Sequence, residues 1–292
     1  MNYITILRIV LVLWTSVFAI FLIKDCITHR KEFNGEKVIP LAIIGFITDF
    51  LDTWGIGSFA TTQAGFKFTK SSPDETMPGT LNIGHTIPVV LEALLFFGFV
   101  ELDSITLITM LAAAVLGAVL GASIVCKWPV KLVRFGLGSA LIILAIVLAC
   151  RNAGIGPFGL LGTATGLTGA RLIVGIIANF FLGALMTIGV GLYAPCMALV
   201  SALGMSPVAA FPIMMGSCAF LMPSAGIKFI KEGKYDRKAT LCLTIFGTLG
   251  VIIAYLLASY AFDLTTLTWI IIAVMLYTSM TFFKDALKVA AK

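Results

Sequence analysis

Apolar runs of about 20 residues, long enough to cross a bilayer as helices, recur along the whole chain and are separated by short polar stretches. They predict helices over residues 4–23, 81–100, 104–125, 132–150, 206–227, 239–260 and 264–283. Two further apolar segments, 38–68 and 171–203, are interrupted by glycine, at Gly55 and Gly57 in the first and at Gly189 and Gly191 in the second.

The two interruptions are related. Sliding the chain against itself by 134 positions pairs Phe46 with Phe180, Leu51 with Leu185, Thr53 with Thr187, Gly55 with Gly189, Gly57 with Gly191 and Ala60 with Ala194. Ser72-Pro73 then meets Ser206-Pro207, and Pro78 meets Pro212, giving ten identities in the forty pairs that start at 45 and 179. Alanine and leucine matches arise easily in an apolar chain, but paired Gly-x-Gly and paired Ser-Pro do not. The chain is an internal duplication: residues 1–37 hold a first helix and loop, 38–151 the first repeat, 152–170 a glycine-rich linker whose expected property is flexibility, and 171–292 the second repeat.

Composition agrees with an all-α integral membrane protein. Of 292 residues 60% are hydrophobic and 12% charged, with a mean hydropathy of +1.07, against about 25% charged in a soluble domain. The lipid bilayer is therefore the expected partner. The six cysteines have no C-x-x-C or Cys/His spacing, so no metal site and no cofactor is indicated. A net charge of +6 would suggest nucleic acid in a soluble protein; here the basic residues sit in short loops and encode orientation instead.

Fifteen of the twenty basic residues fall at 24–37, 127–134, 228–238 and the C-terminus, which places those loops in the cytoplasm. The loops 101–103 and 261–266 lack Lys and Arg and are assigned outside. The count closes only if each glycine-broken segment enters the membrane and returns on the same side. The expectation is seven transmembrane helices and two inverted-topology repeats, each opening with a re-entrant hairpin, in the inner or plasma membrane. The N-terminus is then outside and the C-terminus cytoplasmic.

Non-helical backbone at membrane depth survives only where protein covers it or where it lines an aqueous cavity, and matched breaks in inverted halves point to a transporter's central site. Half-helices starting near Ser58 and Leu192 would each offer unpaired N–H groups, an anion site that needs no buried Lys or Arg. Thr53, Gly55, Gly57, Ser58, Thr187, Gly189, Gly191 and Tyr193 are the candidate substrate-binding residues. The competing reading is that the glycines only allow close helix packing.

Asp49 and Asp52 precede the first break. A carboxylate there costs about 2.5 to 3.5 kcal/mol on insertion scales, and the second repeat has Gly183 and Met186 instead. Either the acids hold a proton or a cation, or hydrogen bonds alone satisfy them. In the helix predicted at 81–100, Asn82, His85 and Glu92 lie close to one stripe, as in a proton relay, so Asp49, Asp52, His85 and Glu92 are the candidate coupling residues. Asn179 and Gln63 are further polar liners.

The pattern Gly45-Phe46-x-x-x-Phe50-Leu51-Asp52-Thr53-x-Gly55-Ile56-Gly57, its partner Leu182-Gly183 followed by Gly189-Val190-Gly191, and Leu203-Gly204-Met205-Ser206-Pro207 resemble the TauE/SafE family of sulfite exporter (TSUP) permeases. The resemblance implies two homologous halves and secondary transport of small, often sulfur-containing or carboxylate anions. The expected function is a proton-coupled permease for such an anion, not an enzyme, and a homodimer is an assembly open to it. A cation transporter or channel using Asp49 and Asp52 is the alternative. A membrane enzyme has less support, because no Ser/His/Asp set and no H-E-x-x-H is present.

Overall fold

The computed structural model describes residues 3–33, 37–98, 102–156, 162–206, 209–257 and 265–290. They form helices α1 (Tyr3–Thr28), α2 (Val38–Thr53), α3 (Ser58–Thr69), α4 (Met77–Gly84), α5 (Thr86–Phe96), α6 (Ser104–Val125), α7 (Val130–Asn152), α8 (Gly169–Met186), α9 (Tyr193–Ala202), α10 (Ala210–Lys231), α11 (Arg237–Leu256) and α12 (Thr265–Ala290). Among the described residues eight stretches are long and apolar enough to span a membrane, as in a multi-pass membrane protein: α1, 74–96, α6, α7, α8, α10, α11 and α12. Seven of these are the runs read from the sequence, and the eighth, α8, is the first arm of the second broken segment.

The second arms are short. At about 1.5 Å per residue, the 12 residues of α3 rise roughly 18 Å and the 10 of α9 roughly 15 Å, half of a hydrocarbon core. Neither can cross alone.

The packing repeats along with the sequence. α2 lies along α11 and α8 lies along α6, while α7 and α12 face each other. A Cβ on Gly250 of α11 would stand 2.3 Å from Phe46 O and 3.1 Å from Phe50 N, and one on Gly117 of α6 would stand 1.9 Å from Phe180 O and 3.1 Å from Ala184 N. Phe180 and Ala184 are the residues 134 positions after Phe46 and Phe50. The bases of the hairpins match as well: Lys37 Nζ donates to Lys70 O at 2.6 Å, and Arg171 lies 3.5 Å from where a Gly204 Cβ would be. Lys70 and Gly204, again 134 apart, both close their helices with positive φ, 50° and 84°.

α1 stands at the edge, with Leu13, Ile20 and Ile27 exposed as on a lipid-facing surface. Tyr3 Oη donates to Leu102 O at 2.7 Å and Arg8 to Phe97 O at one end; Asp25 accepts from Tyr235 Oη and Arg237 Nε at 2.5 and 2.7 Å at the other.

Two expectations change. The helix read at 81–100 is a pair, α4 and α5, hinged at His85, and residues 99–100 lie outside the described ones. The linker at 152–170 is anchored over its described second part instead of swinging freely. Ser206 N donates to Ala164 O at 2.9 Å, Asp103 N to Thr165 O at 3.0 Å, and Leu167 N to Thr106 Oγ1 at 2.9 Å. These bonds satisfy backbone groups that a loose loop would leave to water. Of the outside loop read at 261–266, residues 261–264 lie outside the described residues.

Candidate functional site

The first break is a turn that glycine makes possible. Gly55 N reaches back to Asp52 O at 2.7 Å and Ile56 N to Leu51 O at 3.2 Å, and Gly55 and Gly57 take φ of 79° and 99°, where a Cβ is strained. The chain then re-enters a helix at Ser58. Its N-terminus is not free: Asp52 accepts from Ser58 N at 2.8 Å and from Ser58 Oγ at 2.9 Å. The expected open anion site at α3 is therefore filled by the protein's own carboxylate, which meets the positive helix end.

At the second break Gly189 has φ of 115°, whereas Gly191 is outside the left-handed region, so backbone conformation does not require a glycine there. α9 starts at Tyr193 with no side-chain cap, and Pro195 brings no N–H to its first turn. Of the two helix starts at the breaks, this is the one without a side-chain cap.

The breaks interlock. Gln63 Nε2 of α3 donates to Gly189 O at 2.8 Å, and a Cβ on Gly191 would lie 3.8 Å from Phe59 Cβ. Between them lies a cavity of about 20 Å³ lined by Asp52, Gly57, Ser58, Gly191, Leu192 and Tyr193, among others. That is room for about one water, so the arrangement is closed around its centre.

α4 and α5 carry the polar residues that join the hairpins. Pro88 lacks an N–H, so Gly84 O loses its helical partner and accepts from Thr244 Oγ1 at 3.0 Å instead. At the hinge, His85 Nδ1 lies 2.8 and 2.9 Å from the two Asp49 oxygens, and His85 Nε2 lies 3.0 Å from Thr62 Oγ1. About two turns further on, Glu92 accepts from Tyr193 Oη at 2.6 Å and meets Thr53 Oγ1 at 2.9 Å. Asp49, Asp52, Thr53, Ser58, Thr62, His85, Glu92 and Tyr193 are all buried. Asn82 Nδ2 reaches Met186 O at 3.3 Å, at the end of α8.

Thr53 can donate to one neighbour at a time. Its hydroxyl lies 2.9 Å from both Asp49 O and Glu92 Oε1 and has one hydrogen. If that hydrogen goes to Asp49 O, the contact with Glu92 is a full hydrogen bond when Oε1 carries a proton and donates to Thr53.

Not every predicted residue joins the cluster. Thr187 Oγ1 bonds its own helix at Ala184 O, 2.7 Å away, where its counterpart Thr53 reaches Glu92. Arg151 Nη1, at the end of α7, donates to Gly55 O at 2.5 Å. No basic residue lies between 38 and 66 or between 172 and 227 in the sequence; the structure brings this one in from outside both stretches, against the negative end of α2. Gln63 and Asn179, read from the sequence as polar liners, are buried but do not line the central cavity; Asn179 donates to Met110 O at 2.8 Å. Thr62, Arg151 and Gly247, whose added Cβ would sit 2.0 Å from Asp49 Oδ2, were not singled out from sequence.

Comparison with models of known protein families, with characterised proteins and with solved structures gave no match to this chain.

Proposed function

We propose that the chain is a secondary transporter of the TauE/SafE type, which carries a small sulfur-containing or carboxylate anion across the cell membrane together with protons. Seven helices cross, the N-terminus is outside, and the two broken segments are re-entrant hairpins of inverted repeats. The 134-residue spacing of equivalent contacts and the shortness of α3 and α9 support that topology.

The observation that carries the reading is the meeting of both breaks at one buried carboxylate: Glu92 contacts Thr53 of the first hairpin and Tyr193 of the second. An anion in the cavity would meet the uncapped N-terminus of α9. It would also compete with Asp52 for the N-terminus of α3. Asp49, Asp52 and Glu92 set three carboxylates against one histidine, so an arriving anion adds charge of the sign already in excess. Protons on the carboxylates remove that repulsion, and anion and proton binding reinforce each other through linkage.

A second reading has its own observation. The same three carboxylates are the ligands a transported cation would want. Uptake into proteoliposomes under an imposed pH gradient separates the two. Accumulation of sulfite, thiosulfate, sulfoacetate or oxalate that a protonophore abolishes is the expected result. Accumulation of sodium or potassium, with none of the anions moving, would replace it with the cation reading.

A further inference from the structure

A second cavity is larger than the central one. A chamber of about 900 Å³ opens where the ends of α3, α7 and α12 meet, a size in the range of cavities that hold drug-sized ligands. Six basic side chains line it against three acidic ones. Two of the bases are already engaged: Lys67 bridges Asp74 and Asp285 at 2.8 and 2.9 Å, and Arg134 Nε pairs with Asp74 at 2.8 Å. Lys70 and Lys284 have no acidic partner among the described residues, and Lys288 has only Asp285 at 3.9 Å. Lys37 is spent on the Lys70 carbonyl. The chamber therefore keeps an excess of positive charge after its internal pairs are formed.

Two further observations point to a ligand. Ser72, 9% exposed, lines the chamber, and its Oγ is buried without a hydrogen-bond partner. Such a hydroxyl is costly unless something occupies it. At the rim Phe68 and Tyr277 stack with centroids 5.7 Å apart, and both are more than half exposed. Exposed aromatics beside lysines mark the membrane–water boundary, where basic pockets meet anionic head groups.

We infer that this chamber binds a phosphate-bearing anion, held by Lys70, Lys284 and Lys288 with Ser72 as a hydroxyl donor. It is separate from the central cavity, with which it shares no lining residue, and it does not depend on what the protein transports. Two sources offer that chemistry, an anionic phospholipid head group and a soluble polyphosphate.

The test is thermal stabilisation of the purified protein in non-ionic detergent by phosphatidylglycerol, phosphatidylcholine or pyrophosphate, together with direct titration. Stabilisation by phosphatidylglycerol and not by phosphatidylcholine identifies the lipid source; stabilisation by pyrophosphate alone identifies the soluble one. Either supports the site if Lys70→Gln/Lys284→Gln/Lys288→Gln raises Kd about 100-fold while Lys24→Gln/Lys127→Gln/Lys228→Gln does not. If the triple variant fails to fold, Lys70→Gln and Lys284→Gln are titrated singly, with about a fivefold rise expected from each. Equal stabilisation by the neutral lipid, no stabilisation by any probe, or full retention of binding in the chamber variants would overturn it.

Discussion

Tyr193 Oη donates to Glu92 Oε2 at 2.6 Å, and so the first residue of α9 is tied to a carboxylate that also touches the last residue of α2. Tyr193→Phe removes the donor and keeps the ring. A hydrogen bond to a charged group contributes about 1.5–3 kcal/mol and one to a neutral group about 1 kcal/mol. The variant should melt lower and transport more slowly. Glu92→Gln should act on the same step, so the double variant should be little worse than the worse single one. Additive losses in a double-mutant cycle would mean that the two residues act separately.

The glycines at the breaks should differ in cost, because they differ in conformation and surroundings. Gly189→Ala faces both a φ of 115° and a Cβ 2.8 Å from Leu137 Cδ2. Gly57→Ala has the strain, about 1–2 kcal/mol, with open space around the new methyl. Gly191→Ala has neither, since its nearest contacts of 3.7 and 3.8 Å are ordinary. Melting temperatures should fall in the order Gly191, Gly57, Gly189, the last variant being least stable. Gly191→Val should still lose substrate binding, by filling the cavity that Gly191 lines. Unaltered binding in Gly57→Val and Gly191→Val alike would move the site elsewhere.

Much of this arrangement is legible in the sequence where the signal is local. Gly55, Gly57 and Gly189 break apolar runs because no other residue turns there cheaply, and Asp49, Asp52, His85 and Glu92 stand out because charge in such runs is expensive. What is not legible comes from partners distant in the chain. Thr62 is an ordinary helical threonine until His85 faces it. Arg151 ends a helix that the loop charges assign to the outer side, and only packing carries it to Gly55. Asp52 caps a helix that starts six residues later, across the turn, whereas N-cap signals are read at the helix start. Gly247 has a counterpart arrangement: Gly183 on α8 lies against the Ala114 backbone, its added Cβ 2.1 Å from Ala114 O, while Asp49, 134 positions before Gly183, lies against Gly247. Where one side carries the acid, the helix opposite carries a glycine.

Orientation can be tested at two positions that α1 separates. Its beginning bonds Leu102 and its end bonds Tyr235 and Arg237, and 26 residues rise roughly 39 Å. Cysteine at Ser104, a site that spares the Asp103 cap on Thr106, should react with an impermeant thiol reagent applied outside. Cysteine at Lys234 should react only after permeabilisation. Labelling of Lys234→Cys from outside, with Ser104→Cys protected, would turn the molecule over and end the inward assignment of the basic loops.

Gly247→Ala tests whether the Asp49–His85 pair acts in coupling. The new Cβ would overlap Asp49 Oδ2, with Pro88 Cγ 3.1 Å away on another side, so the carboxylate must leave its place on His85. His85→Ala removes the pair directly. Both variants should keep counterflow exchange and lose accumulation driven by a pH gradient. Gly250→Ala is the packing control, because its Cβ meets backbone at Phe46 O, which cannot swing aside; it should lower stability without that split. If Gly247→Ala accumulates substrate as well as the parent does, the Asp49–His85 contact is structural.

Asp52 decides between a transported proton and a fixed cap. In the closed arrangement its carboxylate satisfies Ser58 N and Ser58 Oγ, which is what a purely structural residue would do. Its position argues for more: it lines the central cavity, where a substrate anion would seek the same N–H group. Asp52→Asn keeps one oxygen for Ser58 N and places an amide toward Ser58 Oγ, so the cap survives in most of its geometry. The variant cannot gain or lose a proton. Its cavity is also permanently less negative, so substrate should bind at least as tightly as in the parent and with less dependence on pH. Counterflow exchange should persist, while uphill accumulation under an imposed proton gradient should disappear. Proteoliposome uptake measured in both modes on one preparation checks this. Parent-like accumulation by Asp52→Asn would reduce Asp52 to a helix cap and transfer the coupling role to Glu92 and Asp49, whereas loss of exchange and accumulation together, in a variant that still melts like the parent, would make it a substrate ligand.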